Sequence, residues 1–358
     1  MTWEFVTVLP NLQVVDPIDS PYMALVGDSD ERLASIMRTE PVFEEFLGNF
    51  SDPFGVPARP SVLIRRLDAP ESFKTIDAAA GFRDAVAVNT IGTTWSLLLA
   101  GKNATRIAYT DQFAFYPWAV SRDPKYLIGT SPAVWALHDP KRFRGQIHPG
   151  LSPMEHRGGN LDRNVMVEML NAWSRRFGPD PVSWKDTALF RSLNMAFHAG
   201  GMPVETDMTP YDAGRALSLW ISAMEIIVHP GGTSRGGRRT LQDTFSAVKW
   251  MSERKSQALH DNAASILKTC YDLRNAFTHG NPVEVEQLKV RAVESQYFHH
   301  FMPVLYALLL RHVLDPTPPG TDLTPDTVGA WLQFQMGPRR IEDAIEAFGK
   351  SDQDDDAG

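Results

Sequence analysis

The chain has 358 residues, 43% of them hydrophobic and 22% charged, with a formal net charge of −8 and a single cysteine. That length and make-up suit a globular protein of two domains and exclude a fibrous or wholly disordered chain. One cysteine excludes an intrachain disulfide, and the negative balance argues against broad coating of nucleic acid, so any RNA contact must be local.

The first sixteen residues lack a basic stretch followed by an apolar one, and no apolar run reaches membrane-spanning length. A cytoplasmic protein with no membrane partner is therefore expected. Residues 1–150 carry short β-rich runs at Phe5–Leu9, Ser61–Ile64 and Val86–Val88, divided by Pro and Gly clusters such as 52–57. Asp30–Met37 and Ala78–Thr90 are the best helices in this half, which reads as a mixed α/β domain with a sensing or regulatory role. The Gly/Pro-rich stretch 145–160 reads as the boundary.

Beyond it the apolar period is helical. Helices are predicted at Arg163–Phe177, Asp186–His198 and Asp212–His229, the last started by Thr209-Pro210 and stopped by Pro230-Gly231. Residues 241–279 make one interrupted helix or two consecutive ones. Val285–Leu314 makes another, with Pro303 as a possible kink. The fold class is α+β: a β-containing N-terminal domain, then an all-α bundle over 160–314. Short helices at Pro325–Gln335 and Pro338–Phe348 fill 315–350, and the acidic stretch 351–358 is expected to be disordered.

Projecting Ala263 to Phe277 at about 100° per residue gathers Ala263, Ile266, Leu267, Cys270, Leu273 and Phe277 on one stripe. Arg274 falls inside it. A guanidinium stays charged, so it needs a partner or a solvated cleft. Glu225 is the only charge between Ala216 and Val228, and two solitary opposite charges on apolar faces suggest that Glu225 and Arg274 meet. Such a pair either fixes helix register or orients a site. His279 precedes Gly280, a good C′ residue, so the imidazole should stand at the helix end.

The run Tyr271-Asp272-Leu273-Arg274-Asn275-Ala276-Phe277-Thr278-His279-Gly280 resembles the signature of the HEPN superfamily, and its Apea-like branch in particular. That signature is an arginine and a histidine with four to six residues between them near a helix end, here four between Arg274 and His279. The resemblance covers roughly residues 185–314. It implies a metal-independent RNA-cleaving enzyme that works as a homodimer, without a cofactor. RNA supplies its own 2′-hydroxyl nucleophile, so the protein needs a base, an acid and a cation. His279 can move protons near neutral pH, Arg274 can present paired donors to a phosphorane, and Asn275, one turn before His279, can hold the imidazole or a phosphate. One histidine cannot easily serve as base and acid together, and dimerisation would bring a second copy.

Other signals are weaker. The loop 231–240 is flexible and cationic, and its Arg235, Arg238 and Arg239 suit phosphate contacts, although a solvated linker is the commoner meaning. Lys141, Arg142, Arg144 and His148 form a second small basic patch, and His299-His300 is an isolated pair. The aromatic-rich region from Trp95 to Trp135 is more often core than a base-stacking surface. No metal-ligand spacing, phosphate-binding loop or dinucleotide fingerprint occurs, so no metal or cofactor is expected. Three readings survive. The first is a HEPN-type endoribonuclease, for which the resemblance implies a toxin-like effector against phage whose N-terminal domain takes a trigger. The others are a non-catalytic module binding nucleic acid or nucleotide, and a dimerising adaptor.

Overall fold

The computed structural model describes residues 2–101, 108–120, 127–129, 136–137, 144–147, 151, 153–201, 209–231, 237–249, 256–289, 297–316 and 325–354. The fold is α+β, and the chain divides into two compact units. The first comprises residues 1–79 and 111–158, the second 80–110 and 159–358.

The first unit opens with strands β1 (Trp3–Leu9), β2 (Leu12–Val14), β3 (Ile18–Asp19) and β4 (Met23–Val26). Helices α1 (Glu31–Thr39) and α2 (Pro41–Gly48) and strands β5 (Phe50–Ser51) and β6 (Ser61–Arg66) follow. Strands β1, β6, β4 and β3 make an antiparallel sheet in that order. Its Ala24, Val26, Val62 and Ile64 pack under Leu33 and Ile36 of α1 and Phe43 of α2, so the alternating pattern of the strands meets the apolar stripe of the helices. The buried Ser61 hydroxyl donates to the Leu12 carbonyl and accepts from the Val14 amide, each at 2.8 Å, which pins β2 to β6. After helix α3 (Ile76–Leu99), strands β7 (Trp118–Val120), β8 (Leu127–Gly129) and β9 (Ala136–Leu137) form a small antiparallel sheet. Strands β10 (Gly145–Gln146) and β11 (Met154–His156) pair in parallel with β5 and β2.

The second unit takes in α3 from residue 80 onward. It also comprises α4 (Arg163–Arg176), α5 (Trp184–Ala199), α6 (Pro210–Val228), α7 (Arg238–Ser246), α8 (Ser256–Thr278), α9 (Val285–Leu288), α10 (Met302–Leu314) and α11 (Pro325–Asp354). Phe82, Ala85, Val86, Ala87 and Ile91 of α3 are fully buried. The polar residues among them are satisfied locally: Thr90, Thr94 and Ser96 hydroxyls donate to carbonyls three or four residues back. Asn89 donates to the Asp162 carbonyl at 3.0 Å and accepts from the Asp162 amide at 2.8 Å, so it ties α3 to the N-cap of α4. Buried Asp84 pairs with Arg83 at 2.7 Å and with Asn194 of α5 at 3.1 Å; burial raises its pKa and Arg83 opposes the rise.

Several expectations are corrected here. The helix read at Ala78–Thr90 is present as part of the longer α3, so the β-rich run Val86–Val88 lies in a helix; residues 80–110, assigned above to the N-terminal domain, belong to the helical unit. A segment apolar on every side has no period to separate strand from helix. Val285–Leu314 is not one helix: α9 ends at Leu288, a 3₁₀ turn covers Phe298–Phe301, and Pro303 sits in the first turn of α10, where its missing N–H costs nothing. The two short C-terminal helices are one, α11, which carries Pro338 inside it and takes in 351–354, expected above to be disordered. Residues 241–279 resolve into α7 and α8, separated by 250–255, which lie outside the described residues. No helix among the described residues is long and apolar enough to cross a membrane.

Candidate functional site

Helices α6 and α8 form the frame of the site. Helix α6 begins with a reciprocal cap: Thr209 Oγ1 accepts from the Asp212 amide while the Asp212 carboxylate accepts from the Thr209 amide, with Pro210 in the first turn. Helix α8 buries Leu259, Ala263, Ile266, Leu267, Cys270, Tyr271 and Leu273: the stripe read from the sequence gains Leu259 and Tyr271, while its last member, Phe277, is half-buried. The two helices pack antiparallel. Near one end the Phe277 ring lies directly over Gly214, where any side chain would collide with it, and towards the other Tyr271 meets Glu225.

The end of α8 is built as expected. The Gly280 amide donates to the Phe277 carbonyl at 3.2 Å and the Asn281 amide to the Ala276 carbonyl at 2.9 Å, with Gly280 at φ +71°. This closing motif needs a residue free to adopt the left-handed conformation at position 280. It leaves His279 exposed at the helix end, with its backbone amide on the Asn275 carbonyl at 3.0 Å and its imidazole without a hydrogen bond among the described residues. Arg274 and Asn275 are half-buried.

Glu225 and Arg274 do not pair. The Tyr271 hydroxyl donates to Glu225 Oε1, and Arg274 Nη1 donates to Asn275 Oδ1 at 3.1 Å. The reason lies in the register: Tyr271 stands one turn nearer the α6 carboxylate, while Arg274 is solvated enough to stand without an ion pair. Asn275, expected to hold the imidazole or a phosphate, has its Oδ1 on Arg274 and so aims the guanidinium. Burial, followed by the hydrogen bond to Glu225 and its negative charge, pushes the Tyr271 hydroxyl up, and Arg274 and Arg238 act against that rise. Both guanidiniums lie near the Tyr271 ring, Arg274 at 5.9 Å and Arg238 at 5.8 Å from its centroid.

Of the three loop arginines, Arg238 and Arg239 lie in the first turn of α7 rather than in a loop. Arg238 reaches Asp272 at 3.5 Å, and Arg239 is exposed. Arg235 lies outside the described residues, as do Lys141, Arg142 and His148 of the second basic patch; Arg144 donates to Asn49 Oδ1 at 3.1 Å. Trp95 and Phe113 are buried, in line with a core role for those aromatics.

Sequence reasoning missed Tyr271 as the Glu225 partner, and it missed a groove of about 500 Å³ that has Glu225 in its wall. The other walls are Trp184 and Arg191 of α5, Ser222 and Ile226 of α6, His229 just beyond α6 and Gly237 just before α7. The helical period places Trp184 and Arg191 on one face of α5, two turns apart, but only the antiparallel pairing of α5 with α6 brings His229 to them. Among the described residues no group of three or more His, Cys, Asp or Glu side chains converges.

No protein-family model, curated protein or solved structure matches the chain.

Proposed function

We propose that this chain is a metal-independent endoribonuclease of the HEPN type. The observation that supports the reading is the end of α8, where an exposed imidazole and a half-buried, carboxylate-free guanidinium stand five residues apart on a rigidly capped helix. In this reading a base removes the proton of an RNA 2′-hydroxyl, and the 2′-oxygen attacks the adjacent phosphorus. The bond from phosphorus to the 5′-oxygen then breaks, and an acid protonates the departing oxygen. The products are a 2′,3′-cyclic phosphate and a 5′-hydroxyl. His279 moves protons, and Arg274, aimed by Asn275, neutralises the charge that grows on the nonbridging oxygens. One chain offers one such histidine, so a homodimer supplies base and acid from two copies. Glu225 acts through Tyr271, fixing the ring against which Arg274 and Arg238 stand. Arg238 and Arg239, on the first turn of α7, supply phosphate contacts.

The biological setting in this proposal follows from the resemblance: a toxin-like effector in antiviral defence, with the N-terminal unit receiving the trigger. The experiment is cleavage of single-stranded RNA by the parent and by His279→Ala, with and without chelator, and analysis of the new ends. Cleavage that needs His279, persists in chelator and leaves a cyclic phosphate supports the reading. A parent that binds RNA without cutting it moves the protein to the non-catalytic binding class.

A further inference from the structure

The groove between α5 and α6 has the chemistry of a nucleotide subsite. Trp184 is 45% exposed, unusual for a large aromatic ring, and it is fixed from three sides. Ser183 caps α5 just before it, its Nε1–H donates to the His229 carbonyl at 3.5 Å, and the Gly231 backbone lies so close to the indole that a Cβ there would meet Cδ1 at 2.8 Å. A rigid, exposed ring is a stacking platform with little ordering cost. Arg191, two turns along the same face, is exposed and makes no ion pair or hydrogen bond among the described residues. Elsewhere in the groove the polar groups are directional. His229 Nδ1 accepts from the Gly231 amide at 3.0 Å, which leaves Nε2 as the N–H donor. Glu225 has Oε1 occupied by Tyr271, and its other oxygen has no partner among the described residues.

We infer that this groove binds one nucleotide of the RNA strand, with its base on Trp184, its phosphate on Arg191, and a guanine edge read by Glu225. This rests on the ribonuclease reading above. Guanine presents two N–H donors, N1 and the exocyclic N2, beside the O6 acceptor; the free Glu225 oxygen and the second lone pair of Oε1 can accept the two, and the imidazole N–H meets O6. Adenine and cytosine offer a single donor group there, and uracil places one donor between two acceptors that a carboxylate repels. The volume of about 500 Å³ suits one nucleotide. The link to the cleavage centre is short. Glu225 holds Tyr271, Arg274 is one turn further along α8, and His279 is eight residues on, about 12 Å of helix.

The test uses the full chain carrying His279→Ala, so that binding is read without turnover, and measures fluorescence anisotropy of labelled single-stranded oligonucleotides. Three RNAs differ only at one position, which carries guanosine, inosine or uridine. The guanosine RNA should bind tightest, and inosine, which lacks the N2 amine, several-fold more weakly. Adding Trp184→Ala or Arg191→Ala should each weaken the guanosine RNA about tenfold, while Trp184→Phe retains most of the affinity. Adding Glu225→Gln should narrow the gap between guanosine and inosine. Circular dichroism confirms the fold of each variant, and Arg191→Gln replaces any that fails. Equal binding of all three RNAs, or unchanged affinity after both Trp184→Ala and Arg191→Gln, overturns the proposal even if the parent cleaves RNA. Loss of binding in those variants alongside an uncleaving parent upholds the groove and removes the nuclease reading instead.

Discussion

Tyr271 on α8 gives its hydroxyl hydrogen to Glu225 on α6, and Arg274 stands one turn beyond with its guanidinium 5.9 Å from the Tyr271 ring. This contact is the polar lock between two helices that otherwise meet through apolar side chains. Tyr271→Phe removes the donor and leaves a half-buried carboxylate short of a partner, so it should lower stability by about 1–2 kcal/mol. Glu225→Gln keeps an acceptor oxygen and should cost less. Chemical denaturation of both variants checks the order; a Tyr271→Phe protein as stable as the parent means the contact carries no net energy.

Gly214 lies beneath the Phe277 ring where the same two helices approach. Gly214→Val must push Phe277 and the end of α8 outward, and overpacking of that kind costs about 1–3 kcal/mol. It should also lower any activity housed at His279, because the capped end moves with Phe277. A variant with the parent's melting temperature would show that α8 can shift freely there.

Arg274→Ala should behave differently from a core substitution. The side chain is half-buried and its hydrogen bond is to the neighbouring Asn275, so the loss should be about 1 kcal/mol or less. Cleavage should nevertheless be abolished. Thermal unfolding set beside an RNA assay separates the two, and a large drop in stability would mean that the guanidinium is structural.

His299 and His300 give the helical unit a pH dependence. Burial pushes the His299 imidazole down to about 3, helped by the neighbouring His300, and pushes His300 down to about 4. His300 stacks on Trp95 at 4.7 Å between centroids and accepts from the Tyr297 amide at 3.3 Å. Both are held neutral in the folded state, whereas in the unfolded chain a histidine takes its proton near pH 6.5. The unfolded state therefore binds more protons between about pH 6.5 and pH 4, and stability is complete above that window and falls as pH drops through it. The loss should be on the order of 2 kcal/mol, allowing for partial exposure. Buried His156, lowered to about 4, adds the same trend in the other unit. Urea unfolding at pH 7 and pH 4.5 measures the slope, and the double variant His299→Gln, His300→Gln should flatten it; an unchanged slope would place the effect elsewhere.

The legible parts of the molecule are those with a period and a punctuation mark. Helix α6 has both, a Thr209–Asp212 cap and a glycine-proline stop, and the end of α8 was marked by Gly280. Helix α3 was legible over Ala78–Thr90, but its run on to Leu99 and its place in the helical unit were obscured because Val86, Ala87 and Ile91 are buried on all sides; α11 was obscured because Pro338 reads as a break yet is accommodated within one helix. At the site, the stripe placed Arg274 and the cap placed His279. The partner of Glu225 was misread because a tyrosine counts as an ordinary stripe residue until its hydroxyl has an address. The Trp184 groove joins the first turn of α5 to the residue after α6, and no local pattern encodes that meeting.

The most direct measurement is turnover of single-stranded RNA by the full chain and by His279→Ala, each with and without chelator, with the new ends identified. An enzyme of the proposed kind cuts in both conditions, leaves a 2′,3′-cyclic phosphate and a 5′-hydroxyl, and loses cleavage in the variant while its circular dichroism is unchanged, because an exposed residue at a helix end contributes little packing. Undiminished cleavage by His279→Ala, or cleavage that stops when divalent metal is removed, contradicts the account.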